Sequence, residues 1–280
     1  RREGPLKETL RVGIIGCGTM GRYAADFLAD GKLPGCEPAA VLIRSSGSHG
    51  REHLESRGIP WVTELGELLE HKPHAVLEAA THDAVEEMGA SILSAGVDFV
   101  PMSLGAFVDP RLMESLLEAA ERGGSRLHIP SGGIGALDAL QAAVLGGVES
   151  VTMTTRKYAT TWKGIPAVEK MGLDLENLKE PALLFEGPAR ECVKLYPQSI
   201  NIAAALSIAG IGFDRTIIRI YADPFVKYNT HEISWEGAAG RVRVIFENTP
   251  VPSNPKTTYQ ACLSALSVLG GIRGNRTIGA

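Results

Sequence analysis

His231 lies in the run "YNTHEISWEG", Tyr228 to Gly237, whose aromatic and β-branched residues and closing glycine predict a strand. Alternation then puts His231 on one face with Asn229, Ile233 and Trp235, and puts Thr230, Glu232 and Ser234 on the other. An imidazole, with an ordinary pKa of about 6.5, has two uses on an apolar face. It is either a core ring satisfied by hydrogen bonds or a group that passes protons near neutrality.

A second pattern stands near the other end, in "VGIIGCGTMGRYAADFL". Gly16, Gly18 and Gly21 make a G-x-G-x-x-G after an apolar strand pattern and before an amphipathic helix pattern that begins around Thr19 and Met20. In that setting the first glycine allows a tight turn, the second lets backbone approach a pyrophosphate, and the third permits close packing. The helix N-terminus adds unpaired N–H groups and a positive dipole end. A dinucleotide is therefore the expected ligand. The next apolar run ends "VLIRSSGS", with Arg44 and Ser45 where a carboxylate would hold the ribose 2′-hydroxyl of NAD. A guanidinium and hydroxyls suit a 2′-phosphate, so NADP is expected to be accepted at least as well as NAD.

Other ligand contacts follow from the rule that open parallel sheets bind at the carboxyl ends of their strands. That nominates Ala80 and Thr81 in "LEAATHD", Ser103 in "VPMSLGA", and the glycine loop "PSGGIG" with Gly133 and Gly135. Arg156, Lys157, Lys163 and Lys256 are candidate clamps for an anionic substrate, each with the alternative of an ordinary surface charge.

From Arg11 to Pro130, short apolar runs alternate with helix-length amphipathic segments, ending in "VDFVPM", a helix over Asp109 to Arg122, and "RLHIP". This is the βαβ pattern of a Rossmann-type, doubly wound parallel sheet, the α/β part of the fold. After residue 130 the texture changes to alternating strands, "SVTMTTRKY", "RTIIRIYAD", "YNTHEISW" and "RVRVIFEN", the last two joined by the turn "EGAAG". They predict a second, α+β domain on an open, antiparallel or mixed sheet, with one face available for dimerisation. "ENTPVPSNPK" reads as a linker, and the helix pattern "TTYQACLSALSVLGG" as a return to the first domain. The expected domains are 1–130 plus 254–280, with residues 1–10 a disordered lead-in, and 131–253.

With 280 residues, a net charge of −4 and a sequence pI near 6.0, the chain has no basic footprint for nucleic acid or an anionic membrane. Its four cysteines are widely separated, with no C-x-x-C pair, so no zinc site or disulfide framework is expected and a cytoplasmic setting fits. No apolar run approaches the roughly 20 residues of a membrane span.

The glycine fingerprint together with "IPSGGIGALDAL", "TTRKYATTWKGIPA", "YPQSINIAAALSIAGIGFD", "IYADPFVKYNTHEI" and "ENTPVPSNPKTTYQACLSAL" resembles the L-aspartate dehydrogenase family from Arg11 to about Leu269. The resemblance implies NAD(P)-dependent oxidation of L-aspartate to iminoaspartate, which yields oxaloacetate and ammonia, with reductive amination in reverse. It also implies a homodimer and a supply of iminoaspartate to pyridine nucleotide synthesis. The family's catalytic histidine falls on His231, and a nicotinamide-side contact on Asn201. A departure is "RKYATTW", where relatives tend to carry prolines, so the loop from Tyr158 to Trp162 is expected to differ in shape. The competing readings are a related dehydrogenase acting on another small substrate and a non-catalytic NAD(P)-binding regulator. "FVPMSLG" lacks the lysine expected of a sugar or inositol dehydrogenase.

Overall fold

The computed structural model describes residues 9–45, 47, 49–196 and 201–274. These divide into two compact units, 9–130 with 262–274 and 131–261. The return to the first unit comes at Cys262, so residues 254–261, expected with the first domain, cluster with the second.

In the first unit the chain runs β1 (Leu10–Ile15), α1 (Thr19–Ala29), β2 (Cys36–Leu42), α2 (His49–Ser56), β3 (Trp61–Val62), α3 (Leu65–Glu70), β4 (Ala75–Glu78), α4 (His82–Ser94), β5 (Asp98–Pro101) and α5 (Pro110–Gly123). The five strands are parallel in the order β3-β2-β1-β4-β5. Strands covered on both faces are mainly apolar, and β4 is buried at all four positions, its last residue Glu78 included. Strand order reverses between β1 and β4, which makes their carboxyl ends the topological switch point. The helix starts are locally encoded. Thr81 caps α4 by accepting from the Ala84 N–H, and Asp109 caps α5 ahead of Pro110.

Two expectations fail in this unit. "RLHIP" contributes a single bridge, Phe99 to Leu127, rather than a sixth strand. The lead-in does not extend to residue 10, because Leu10 opens β1 and is buried. Residues 1–8 lie outside the described residues.

The second unit holds α6 (Leu137–Gly146), β6 (Val148–Tyr158), α7 (Pro166–Glu169), β7 (Ala182–Pro188), α8 (Ala189–Leu195), α9 (Asn201–Ala209), β8 (Thr216–Asp223), β9 (Asn229–Gly237), β10 (Gly240–Asn248), β11 (Pro250–Val251) and β12 (Asn254–Thr258). α10 (Tyr259–Arg273) then carries the chain back to the first unit. Its main sheet has the order β10-β9-β6-β8-β7, with β6 and β8 parallel and the other pairs antiparallel. One face carries Val151, Met153, Ile218, Ile220, Ile233 and Trp235 into a core shared with α6, α8 and α9. The other is polar and laced with cross-strand ion pairs such as Arg243–Glu232 and Arg219–Glu186. The expected linker instead contains the small β11–β12 pair.

Candidate active site

β9 buries alternate residues as its sequence pattern requires, placing Asn229, His231, Ile233 and Trp235 on the covered face. The antiparallel register sets His231 opposite Thr155 on β6 and Phe246 on β10. Thr155 Oγ1 lies 3.1 Å from His231 Nδ1, and both side chains are buried. That bond fixes the ring's orientation and leaves Nε2 as the nitrogen that can exchange a proton with a ligand.

Lys157 follows Thr155 by two residues on β6, so it shares the covered face. It is only 3% exposed. Its ammonium donates to the Lys256 carbonyl at 2.9 Å and stands 5.2 Å from the centre of the Trp162 ring. Burial, with the nearby Lys256 charge, pushes its pKa down to about 8. Burial and the Lys157 charge push His231 down to about 3, so its imidazole is neutral at physiological pH and can accept a proton.

A cleft of about 320 Å³ adjoins this cluster through Asn229 and Lys256, with Tyr158, Thr161, Lys163 and Lys227 also among its lining residues; His231 and Lys157 themselves do not line it. Three ammonium groups and several hydroxyls line it, and no carboxylate does. Asn229, two residues from His231 on the same face, donates to the Pro255 carbonyl at 3.1 Å. Lys157 and Asn229 therefore both anchor β12, the cleft wall that carries Lys256.

Not every predicted clamp joins this group. Lys163 reaches the cleft but is also paired with Glu176. Arg156 alternates to the opposite face, where it bonds Asp223 and stacks over Tyr221 at 4.2 Å. The structure does not bring it to His231, for the simple reason that odd and even positions on a strand face opposite ways. The "SGGIG" loop is held by Asn248, which donates to the Gly133 carbonyl at 2.5 Å. A Cβ on Gly135 would stand 3.3 Å from the ring of Phe246, the cross-strand neighbour of His231. Asn201 is the first residue of α9, and Pro197 to Ile200 of its motif lie outside the described residues.

In the first unit the glycine loop has the form a dinucleotide needs. Gly16 has φ of 95°, and a Cβ there would meet the Ala79 carbonyl at 2.8 Å. A Cβ on Gly21 would fall 2.1 Å from the Gly16 carbonyl, whereas one on Gly18 would meet nothing within 4 Å. Gly18 therefore leaves open space in front of α1, whose first turn, from Thr19 and Met20, carries no acidic residue and no side-chain cap. Those are the features that admit a pyrophosphate. Arg44 and Ser45 follow β2 and are exposed, in reach of solvent and of a ligand at that edge.

Ala80, Thr81 and Ser103 are at the expected strand ends, but their polar groups already have partners. Thr81 caps α4, while the Ala80 N–H, the Ser103 N–H and the Ser103 hydroxyl all bond Glu78. Glu78 was missed in the sequence; its signal was a carboxylate ending a strand that is otherwise apolar.

Comparisons with known proteins agree with both units. Residues 138–272 match the family model "Aspartate dehydrogenase, C-terminal", and residues 16–130 match "Homoserine dehydrogenase, NAD binding domain". The chain is 38% identical over 272 residues to the L-aspartate dehydrogenase of Methanococcoides burtonii, covering 96% of this chain and 99% of that one. It is 37% identical over 262 residues to the L-aspartate dehydrogenase of Pseudomonas aeruginosa, covering 93% and 97%. Among solved structures, aspartate dehydrogenase from Thermotoga maritima superposes with a TM-score of 0.73 at 25% identity, over 96% of this chain and 99% of that one. A hyperthermophilic archaeal homoserine dehydrogenase in complex with NADPH shares the fold, with a TM-score of 0.59 at 15% identity over 95% and 99% of the two chains. With these identities along nearly the whole of both sequences, the protein belongs to the L-aspartate dehydrogenase family.

Proposed function

We propose that the protein catalyses the NAD(P)-dependent oxidation of L-aspartate to iminoaspartate, which water converts to oxaloacetate and ammonia, and the reductive amination in reverse. The observation that carries this reading is the buried His231, fixed by Thr155 beside a carboxylate-free, lysine-lined cleft. The bound nicotinamide supplies a two-electron acceptor for the hydride leaving the substrate Cα. The chain's residues supply binding, orientation and proton transfer.

Lys163, Lys227 and Lys256, which line the cleft, and the buried Lys157 bonded to the Lys256 carbonyl give the dicarboxylate an electrostatic reason to enter. Neutral His231 takes a proton from the water that adds to the imine carbon. As an imidazolium it then returns that proton to the departing ammonia, so the ring ends as it began. A dianion beside the ring raises the pKa of His231 from its ligand-free value, bringing it toward the range in which one group can both take and give a proton.

On the cofactor side, Gly16, Gly18, Thr19, Met20 and Gly21 receive the pyrophosphate, and Arg44 with Ser45 meets the adenosine ribose or its 2′-phosphate. Ala80, Thr81 and Ser103 shape the neighbouring edge, and Gly133, Gly135 and Asn201 form the nicotinamide-side contact. Arg156 faces away from His231 and pairs with Asp223, so it does not clamp the substrate. The protein works as a homodimer in the cytoplasm; no described helix is long and apolar enough to cross a membrane. The reading is tested by screening amino acids with NAD and NADP, and keto acids with ammonia and the reduced cofactors, by absorbance of the reduced nicotinamide. Aspartate and oxaloacetate are expected to be the preferred pair, and activity confined to other substrates would overturn it.

A further inference from the structure

Glu78 ends β4 at the switch point of the parallel sheet and is fully buried. One carboxylate oxygen accepts from the Ala80 N–H at 2.6 Å and from the Ser103 hydroxyl at 2.8 Å; the other accepts from the Ser103 N–H at 3.0 Å and the Met102 N–H at 3.2 Å. No cation takes part in this set. Burial pushes the Glu78 pKa up, and the bonds from Ala80, Ser103 and Met102 pull the other way. All four partners are donors, which is the arrangement a carboxylate requires and a protonated acid would leave with an O–H pointing at N–H groups.

The bonds tie together the two loops that leave β4 and β5 on the ligand-binding edge. Residues 79 and 80 in turn form the surface on which the Gly16 turn rests, since a Cβ at Gly16 would be 2.8 Å from the Ala79 carbonyl and 2.9 Å from Ala80 Cβ. From these contacts we infer that Glu78 is a positioning residue for the cofactor. It turns the Ala80 and Ser103 N–H groups inward and holds the ledge beneath the glycine turn, so that the dinucleotide meets a preformed surface. The inference rests on the reading that this unit binds a nicotinamide dinucleotide.

The test is a fluorescence titration of Glu78→Gln, Glu78→Asp and Ser103→Ala with NADH and NADPH, read as the dissociation constant of the folded protein. Glutamine keeps the volume but presents an amide NH₂ to N–H donors, and it is expected to weaken binding by about ten-fold or more. Ser103→Ala keeps the carboxylate and three backbone donors, and a loss of about two- to three-fold is expected. Glu78→Asp, which retains the charge on a shorter arm, is expected to fall between them. In steady state the same order is expected in the cofactor KM, with the aspartate KM and the pH profile of kcat unchanged. Wild-type dinucleotide affinity in the Glu78→Gln and Ser103→Ala proteins would overturn the inference, even if their melting temperatures fell, because Glu78 would then serve stability alone. If Glu78→Gln does not fold, the Glu78→Asp and Ser103→Ala titrations decide in the same way. The titration needs no turnover, so a wild-type protein that binds NADPH but leaves aspartate unchanged would refute the proposed function and leave this test standing.

Discussion

At the scale of single residues, the proposed reaction gives proton transfer to His231 and charge to Lys157. Lys157 loses hydration on burial and donates a hydrogen bond to the Lys256 carbonyl. Taking an ammonium out of water costs free energy, and a functional site is where such a cost persists. Lys157→Met, which removes the charge but keeps an unbranched chain, is expected to lower kcat/KM for aspartate by about ten-fold or more. Steady-state kinetics on the folded variant checks this. Deprotonation of Lys157 through about pH 8 is likewise expected to raise the aspartate KM in alkaline solution, with little change in the cofactor KM. A serine or hydroxyl partner for the ribose matters less than charge, so Arg44→Ala is expected to raise the KM for NADP by about ten-fold and leave that for NAD unchanged. Much of this was legible at residue scale: alternation alone placed His231, Ile233 and Trp235 on one face. What alternation could not show was Thr155 as the ring's partner, because that depends on the pairing register of strands 76 residues apart.

At the scale of elements, the glycine loop separates cofactor binding from folding within six residues. Gly18→Ala adds a methyl group to open space at an ordinary φ of −77°. The fold is expected to tolerate it, with unchanged melting temperature, while dinucleotide affinity falls by about ten-fold as the methyl group occupies the pyrophosphate's approach. Gly21→Ala would drive a Cβ to 2.1 Å from the Gly16 carbonyl, so there the melting temperature is expected to fall too. Thermal melts and cofactor titrations of the two variants distinguish these roles. Four of the five described parallel strands were readable because burial on both faces demands continuous apolar runs, whereas β3, two residues long, was too short to show a pattern. β7 was not, since "ALLFEGP" mixes half-buried positions with Gly187 and Pro188 at a sheet edge. β11 and β12 were hidden by Pro, Asn and Ser composition; side chains from elsewhere, Lys157 and Asn229, hold the carbonyls of β12. Local propensity carries no trace of such long-range anchors.

At the scale of the whole molecule, the cost of keeping His231 neutral appears as acid sensitivity. Its folded pKa of about 3 lies below the ordinary 6.5, so between those values the unfolded chain binds a proton that the native protein does not. Stability therefore falls as pH drops through this window, by up to about 1.4 kcal/mol per pH unit from this one group. Denaturant titrations between pH 7 and 4 are expected to show a shallower loss for His231→Asn than for the wild type. The same substitution tests the catalytic account. Turnover of aspartate with NAD(P), measured on folded His231→Asn protein by the appearance of reduced cofactor, is expected to fall by about 10² to 10⁴ while cofactor affinity stays within two-fold of wild type. Turnover near the wild-type rate would return His231 to a purely structural role and contradict the account.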